Sequence, residues 1–233
     1  MLTYTGFKSA SSNTAFWNNP IENINYGIAT KHDLDAIGQP GVTLVIGCPL
    51  PSYVQHKVIR VQRLFTSLLA ASGSSATVKW RDDLTALHVT IYGITKPKDY
   101  SPTGSWPLPA GILNPVQTTV SSNVPFDISL QGLGILGNGA IAVCVSDSPE
   151  IDRIRDDIEK IAGVSSRSFG EKANQIIIGR LLPDLTDRDR RLIKQALDDV
   201  EQFMLGTLTV NYIDLLHYKH EFLNRLFDRV LLP

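Results

Sequence analysis

His88 and Thr90 stand two residues apart in Leu87-His88-Val89-Thr90-Ile91, a stretch whose alternation predicts a β-strand. Residues at i and i+2 of a strand point to one face, so the imidazole and the hydroxyl would be aimed together. An imidazole near its reference pKa of about 6.5 can take or give a proton, and a threonine hydroxyl can donate to a phosphate oxygen. Tyr92, at the next position of the same parity, would join them, with Leu87, Val89 and Ile91 turned to the core. A second stretch, Gln175-Ile176-Ile177-Ile178-Gly179-Arg180, falls where a duplicated fold would carry its second such motif. Both polar positions have changed there. Gln175 can hydrogen-bond but cannot exchange a proton near neutral pH, and Ile177 offers a phosphate nothing.

Other side chains qualify as partners of this pair. Arg180 could point toward a phosphate or pair with a carboxylate such as Asp184. Lys79, Trp80 and Arg81 could border the same cleft, Trp80 stacking on a base or packing in the core. His217, in His217-Tyr218-Lys219-His220, is the first substitute for a missing histidine, the alternative being a solvated strand exit. His56 and His32 read as surface residues. The alternating charges of Asp187-Arg188-Asp189-Arg190-Arg191 read as a solvated helix face, and Gly132, Gly134, Gly137 and Gly139 match no phosphate-loop spacing. No Cys/His cluster has zinc spacing, and the reading calls for no metal or cofactor.

The elements that must position these groups follow from periodicity. Residues 1–40, rich in Asn, Ser, Gly and Pro, read as an arm packed on the body through Phe16, Trp17 and Tyr26. Strand 42–48 ends at Pro49 and Pro51. A helix over 52–72 follows, with Ser52 as N-cap and Val54, Val58, Val61, Phe65 and Leu68 at helical spacing. Strands 76–79 and 86–93 come next. Residues 95–124, rich in Pro, Gly, Ser and Thr, read as an inter-lobe connection or lid. The pattern then restarts: strand 126–130, strand 140–145, a helix from Pro149 to 162, and strand 175–181. Thr186 with Asp189 makes a capping box opening a helix through Leu205, followed by strand 208–216 and an amphipathic tail. Strand 42–48, helix 52–72 and strand 86–93 thus match strand 140–145, helix 149–162 and strand 175–181.

Composition narrows the class. The chain has 233 residues, 43% hydrophobic and 19% charged, with a formal net charge of −1, which suits one sizeable domain or two small lobes sharing a cleft; with the duplicated pattern, the expectation is a single bilobal domain over 41–233. The balanced charge disfavours extended nucleic-acid binding. The two cysteines, Cys48 and Cys144, follow apolar runs and read as buried strand residues. No apolar run is long enough to span a membrane, and the first residues lack the basic-then-apolar pattern of a signal peptide, so the expectation is a cytoplasmic protein. Oligomeric state is not legible.

Between residues 42 and 216 the chain resembles the two-histidine (2H) phosphoesterase superfamily, which includes RNA 2′,3′-cyclic phosphodiesterases and 2′–5′ RNA ligase-like proteins. The resemblance rests on Leu87-His88-Val89-Thr90-Ile91, on Phe126-Asp127-Ile128-Ser129-Leu130-Gln131-Gly132-Leu133-Gly134 leading into 140–145, and on Gly179-Arg180-Leu181 with the Thr186 helix behind it. It implies an α+β fold of two pseudo-twofold lobes, each an antiparallel sheet with helices on its outer face, around a central cleft. It also implies a metal-free mechanism with one histidine as base and the other as acid. Here His88 and Thr90 match the first half-site, while Gln175 and Ile177 replace the second, and loss of one proton-transfer partner typically costs 10²–10⁴-fold. The leading expectation is an enzyme acting on a phosphodiester of a nucleotide or RNA end, cyclic phosphate hydrolysis first, with His88 as acid/base and Thr90 orienting the phosphate. A non-hydrolytic nucleotide or small-ligand binding protein, and an enzyme of another reaction class using His88 alone, are the alternatives.

Overall fold

A computed structural model describes residues 41–94, 111–135, 139–161, 174–182, 185–220 and 223–232, with side chains described outside 41–42 and 217–230. The proposed arm over 1–40 and most of the 95–124 connection lie outside the described residues. The strands are β1 (Gly41–Ile46), β2 (Val78–Trp80), β3 (Val89–Gly93), β4 (Phe126–Ile135), β5 (Ala140–Val145), β6 (Gln175–Leu181), β7 (Met204–Val210), β8 (Tyr212–His220) and β9 (Leu223–Leu231). The helices are α1 (Ser52–Ala71), α2 (Leu113–Ser121), α3 (Pro149–Glu159) and α4 (Asp187–Val200). All described ladders are antiparallel. They form a four-stranded sheet in the order β3-β1-β8-β9 and a five-stranded sheet in the order β2-β6-β5-β4-β7. The architecture is α+β and bilobal.

Each sheet carries helices on one face, and the helices cross over. α1 follows β1 of the first sheet but lies on the second: Gln62 donates to the Ile178 carbonyl of β6, and the Tyr53 hydroxyl to the Thr207 carbonyl of β7. α3 follows β5 of the second sheet but lies on the first, where Arg155 donates to the Ile91 carbonyl of β3. α4 joins α1, and α2 joins α3. Apolar residues fix these faces. Val54, Val58, Val61, Phe65 and Leu69 of α1 and Ile151, Ile154 and Ile158 of α3 are buried, in one continuous core that spans both lobes.

Several boundaries differ from the sequence expectations. α1 is capped by Pro51, whose carbonyl accepts from Val54 and Gln55, so Ser52 is the first helical residue and makes no cap bond. Residues 113–121, inside the proposed connection, form α2. Its Val116 and Val120, with Ile112 before them, are buried at a spacing of four, and Pro115 falls in the first turn, where its missing N–H has no intrahelical role. The Thr186–Asp189 capping box is present, but α4 ends at Val200 and two strands, β7 and β8, occupy 204–220. The tail forms β9. Cys144 is a buried strand residue, whereas Cys48 lies beyond β1 and is partly exposed.

Candidate active site

The two motif strands share one irregularity at the same place. In β3, Val45 of β1 stands opposite Thr90 and Leu44 opposite Tyr92, so Ile91 is an extra residue, a β-bulge. In β6, Ala142 of β5 stands opposite Ile177 and Ile141 opposite Gly179, so Ile178 is the extra residue. Aligned on the bulges, His88 matches Gln175, Thr90 matches Ile177, Tyr92 matches Gly179 and Gly93 matches Arg180. The helix clamps match as well. Arg155 Nε lies 3.0 Å from the bulged Ile91 carbonyl, and Gln62 Nε2 lies 3.2 Å from the bulged Ile178 carbonyl. Each lobe's helix supplies a side-chain donor to the other lobe's bulge, and the Ile178 carbonyl accepts from the Arg81 amide as well.

The bulges decide which side chains share a face. Paired strand residues project to the same side, so Thr90 goes with Val45 and Asp214, on the face away from the helices. The continuous core takes in Leu44, Ile46, Ile213 and Leu215 but not the buried Val45 and Leu216 between them. Tyr92 departs from expectation. The extra residue carries it to the helix face opposite Leu44, where it is 2% exposed inside the core, while its carbonyl accepts from Thr43 Oγ1. In β6 the same shift has the opposite effect: it returns Arg180 to the inner face with Gln175 and Ile177, in register with Ala140 on one side and Lys79 on the other.

His88 sits just before β3, after a short 3₁₀ turn (Leu84–Ala86) capped by the Asp83 carboxylate, which accepts from the Thr85 amide and hydroxyl. Its Nδ1 lies 2.8 Å from the Ala86 carbonyl. A carbonyl can only accept, so Nδ1 carries the proton and Nε2 carries the basic lone pair. Burial pushes the His88 pKa down to about 4; the Ala86 hydrogen bond opposes this and the Arg81 charge adds to it. The imidazole is therefore neutral at pH 7 and able to take a proton, with Thr90, partly buried, two residues on.

Arg81 and Arg180 supply the charge. Arg81 follows β2, its amide donating to the Ile178 carbonyl at 2.9 Å, and it is 8% exposed. Arg180 is 6% exposed. Burial lowers both pKa values. Arg180 falls to about 10 with Arg81 as the second cause, while Asp83 and Cys48 partly restore Arg81. Both remain cations at neutral pH, and Arg81 acts on His88 and Arg180 alike. Thr90 and the preceding His88 stand on or beside β3, and Gln175, Ile177 and Arg180 on β6, two strands in contact, with Arg81 near enough to act on both His88 and Arg180. Two buried guanidiniums and a neutral imidazole are groups that can, by their chemistry, hold an anion and take a proton.

Trp80 lies elsewhere. Trp80 pairs in register with Gly179 on the helix face, edge-on to Phe65 with centroids 6.0 Å apart, and its indole N–H donates to Thr66 Oγ1. This placement is that of a core residue rather than a stacking platform. His217 stands opposite Val42 in register, and its side chain lies outside the described ones. Among the described residues no cluster suits a metal ion, and no helix is long and apolar enough to cross a membrane.

Sequence reasoning passed over Gln62, Arg155 and Asp214. The first two had a signal. Each is a polar residue in the apolar stripe of its helix, following Val61 and Ile154 respectively, and a polar group at such a position needs a buried partner. Asp214, fully buried, accepts from the Cys48 amide at 3.2 Å and ties the exit of β1 to β8.

No protein-family model and no curated protein matches the sequence. Among solved structures the chain is similar to E. coli LigT complexed with ATP, at 12% identity and a TM-score of 0.45, over 83% of this chain and 98% of that one. It is similar to Usb1 of Kluyveromyces marxianus with uridine monophosphate, at 11% identity and a TM-score of 0.49, over 83% and 99%. A conserved protein of unknown function, ATU0111 of Agrobacterium tumefaciens, is similar at 13% identity and a TM-score of 0.49, over 84% and 86%.

Proposed function

We propose that this protein is a metal-independent phosphodiesterase acting on a nucleotide or RNA end, with His88 as general base through Nε2. Thr90, Arg81 and Arg180 hold the phosphate. The observation that carries this reading is the pair of buried arginines, Arg180 on β6 and Arg81 bonded to β6 through its amide, beside the strand that His88 precedes. Two guanidiniums present fork-shaped donors that match phosphate oxygens, and a phosphate diester is an anion that also needs a base at its edge. The ligand is small, because the formal net charge of −1 provides no field for a long polyanion. Hydrolysis of a 2′,3′-cyclic phosphate, the expectation from the motif resemblance, is the first reaction to assay.

The test is turnover of nucleoside 2′,3′-cyclic phosphates and activated phosphodiesters by the wild type and His88→Ala. Loss of about 10²–10⁴-fold in kcat with an unchanged thermal transition supports the assignment. Undiminished turnover in His88→Ala removes it. A second reading is favoured by Ile177, which puts an apolar side chain where a phosphate-binding hydroxyl would stand. There the site holds a nucleotide without cleaving it, and calorimetry would record binding with no product.

A further inference from the structure

In-line displacement at phosphorus has two ends, and the pseudo-twofold alignment assigns them. Resting on the phosphodiesterase reading above, His88 stands at the end of the attacking oxygen. The matching position on β6, where the leaving oxygen would sit, holds Gln175. Its Oε1 is buried and has no hydrogen-bond partner among the described residues. A carboxamide can hydrogen-bond a departing oxygen but cannot give it a proton. Ile177, on the same face, gives neither. The next inner-face residue of β6 is Arg180, a fixed cation brought there by the Ile178 bulge, and a guanidinium stabilises an anion without protonating it. The base end is thus intact, while the leaving end is built for charge and not for proton delivery.

We propose that the substrate is a nucleotide phosphoanhydride, whose leaving group departs as a phosphate anion, rather than a ribose ester that must be protonated as it leaves. Water bonds to the attacked phosphorus while its proton passes to His88 Nε2. The bond from phosphorus to the bridging oxygen breaks with its electron pair on that oxygen, and the new phosphate terminus leaves with its charge against Arg180. The proton on His88 then returns to solvent. Phosphate has a second pKa of about 6 and is stable as an anion at neutral pH; a ribose alkoxide is not.

The experiment compares kcat/KM for four substrates: a dinucleoside pyrophosphate, a nucleoside 2′,3′-cyclic phosphate, and the p-nitrophenyl and methyl esters of thymidine 5′-monophosphate. The expected order places the anhydride and the p-nitrophenyl ester at least ~10³-fold above the methyl ester and the cyclic phosphate, about the advantage a general acid would otherwise supply. Arg180→Met is expected to lower anhydride cleavage by ~10²–10³-fold, with Arg180→Lys restoring part of it. The pH profile should show one ascending limb and no descending acid limb. Cyclic phosphate or methyl ester turned over as fast as the anhydride would overturn the proposal while leaving the phosphodiesterase reading intact. So would a descending limb abolished by His217→Ala. No turnover of any of the four, p-nitrophenyl ester included, would overturn both.

Discussion

Replacing Arg155 with methionine tests whether the crossed helix clamps hold the site in register. Arg155 is 3% exposed, donates through Nε to the Ile91 carbonyl at 3.0 Å, and pairs through Nη1 with Asp152 at 3.2 Å. Methionine keeps much of the volume but leaves the bulged carbonyl without that donor. A charge-assisted hydrogen bond contributes about 1.5–3 kcal/mol net, and an unsatisfied buried carbonyl costs about 1–3 kcal/mol. These describe the same loss from two sides, so the expected cost is about 2 kcal/mol, a factor of ~30 in the folded-to-unfolded ratio. For a chain of this length that corresponds to a fall in Tm of roughly 4–8 °C. Asp152, 35% exposed, should matter less, and Asp152→Asn should cost no more than ~0.5 kcal/mol. Urea unfolding and calorimetry at neutral pH measure both variants, and Arg155→Met should lower the midpoint without changing the slope. If the bulge aims Thr90, the variant should also lose turnover at temperatures where it remains folded. Arg155→Met within 0.5 kcal/mol of the wild type, or Asp152→Asn equally damaging, would refute the reasoning.

Other outcomes follow from single contacts. A Cβ at Gly179 would lie 2.6 Å from Trp80 Cε3 and 3.0 Å from the Lys79 carbonyl, so Gly179→Ala should cost about 1–3 kcal/mol and shift the tryptophan emission maximum. Asp189 accepts from Ser74, Ser75 and Thr186. Burial raises its pKa, but these bonds outweigh it and hold the carboxyl well below the ordinary range. Asp189→Ala should therefore cost about 3 kcal/mol at pH 7. That margin should hold above the unfolded carboxyl value of about 3.9 and shrink as pH falls below it, read by denaturation at several pH values. His88 has a linkage of the same sign in a higher pH window. Its folded pKa of about 4 lies below the unfolded 6.5, so the unfolded chain binds the extra proton and stability falls from pH 6.5 toward 4. His88→Gln should flatten that part of the stability profile, and wild-type turnover should lose its base only near pH 4.

What was legible in the sequence was whatever depends on pattern within one element. β5 and β6 have the boundaries that periodicity assigns, and the capping box at Thr186 is where its residues place it. What was not legible depends on pairing between strands. Alternation alone sends Tyr92 to the same face as Thr90, and only the partner strand reveals that Ile91 is supernumerary. The same blindness hid the return of Arg180 to the inner face and the placing of Trp80 on the helix face. Segment 204–220 misled for a different reason. β7 exposes Met204, Thr207 and Thr209 in alternation with buried Leu205, Leu208 and Val210, a pattern weakened by the Gly206 irregularity, and the helix before it gave no stop residue at Val200. The pair Gln62 and Arg155 was readable in principle, as polar residues that no solvated helix face explains.

The exchange of helices between lobes means that neither half of the polypeptide owns a finished interior. A chain cut in the connection after α2 would release a first half whose long helix has lost the β5–β6 ladder it covers, and a second half whose α3 keeps β8 and β9 but has lost β1 and β3 of the sheet it covers. Such fragments should be soluble only when produced together, and mixing them should rebuild the interlocked body rather than two independent lobes. The seam between β3 and β6 belongs to the union and to neither part.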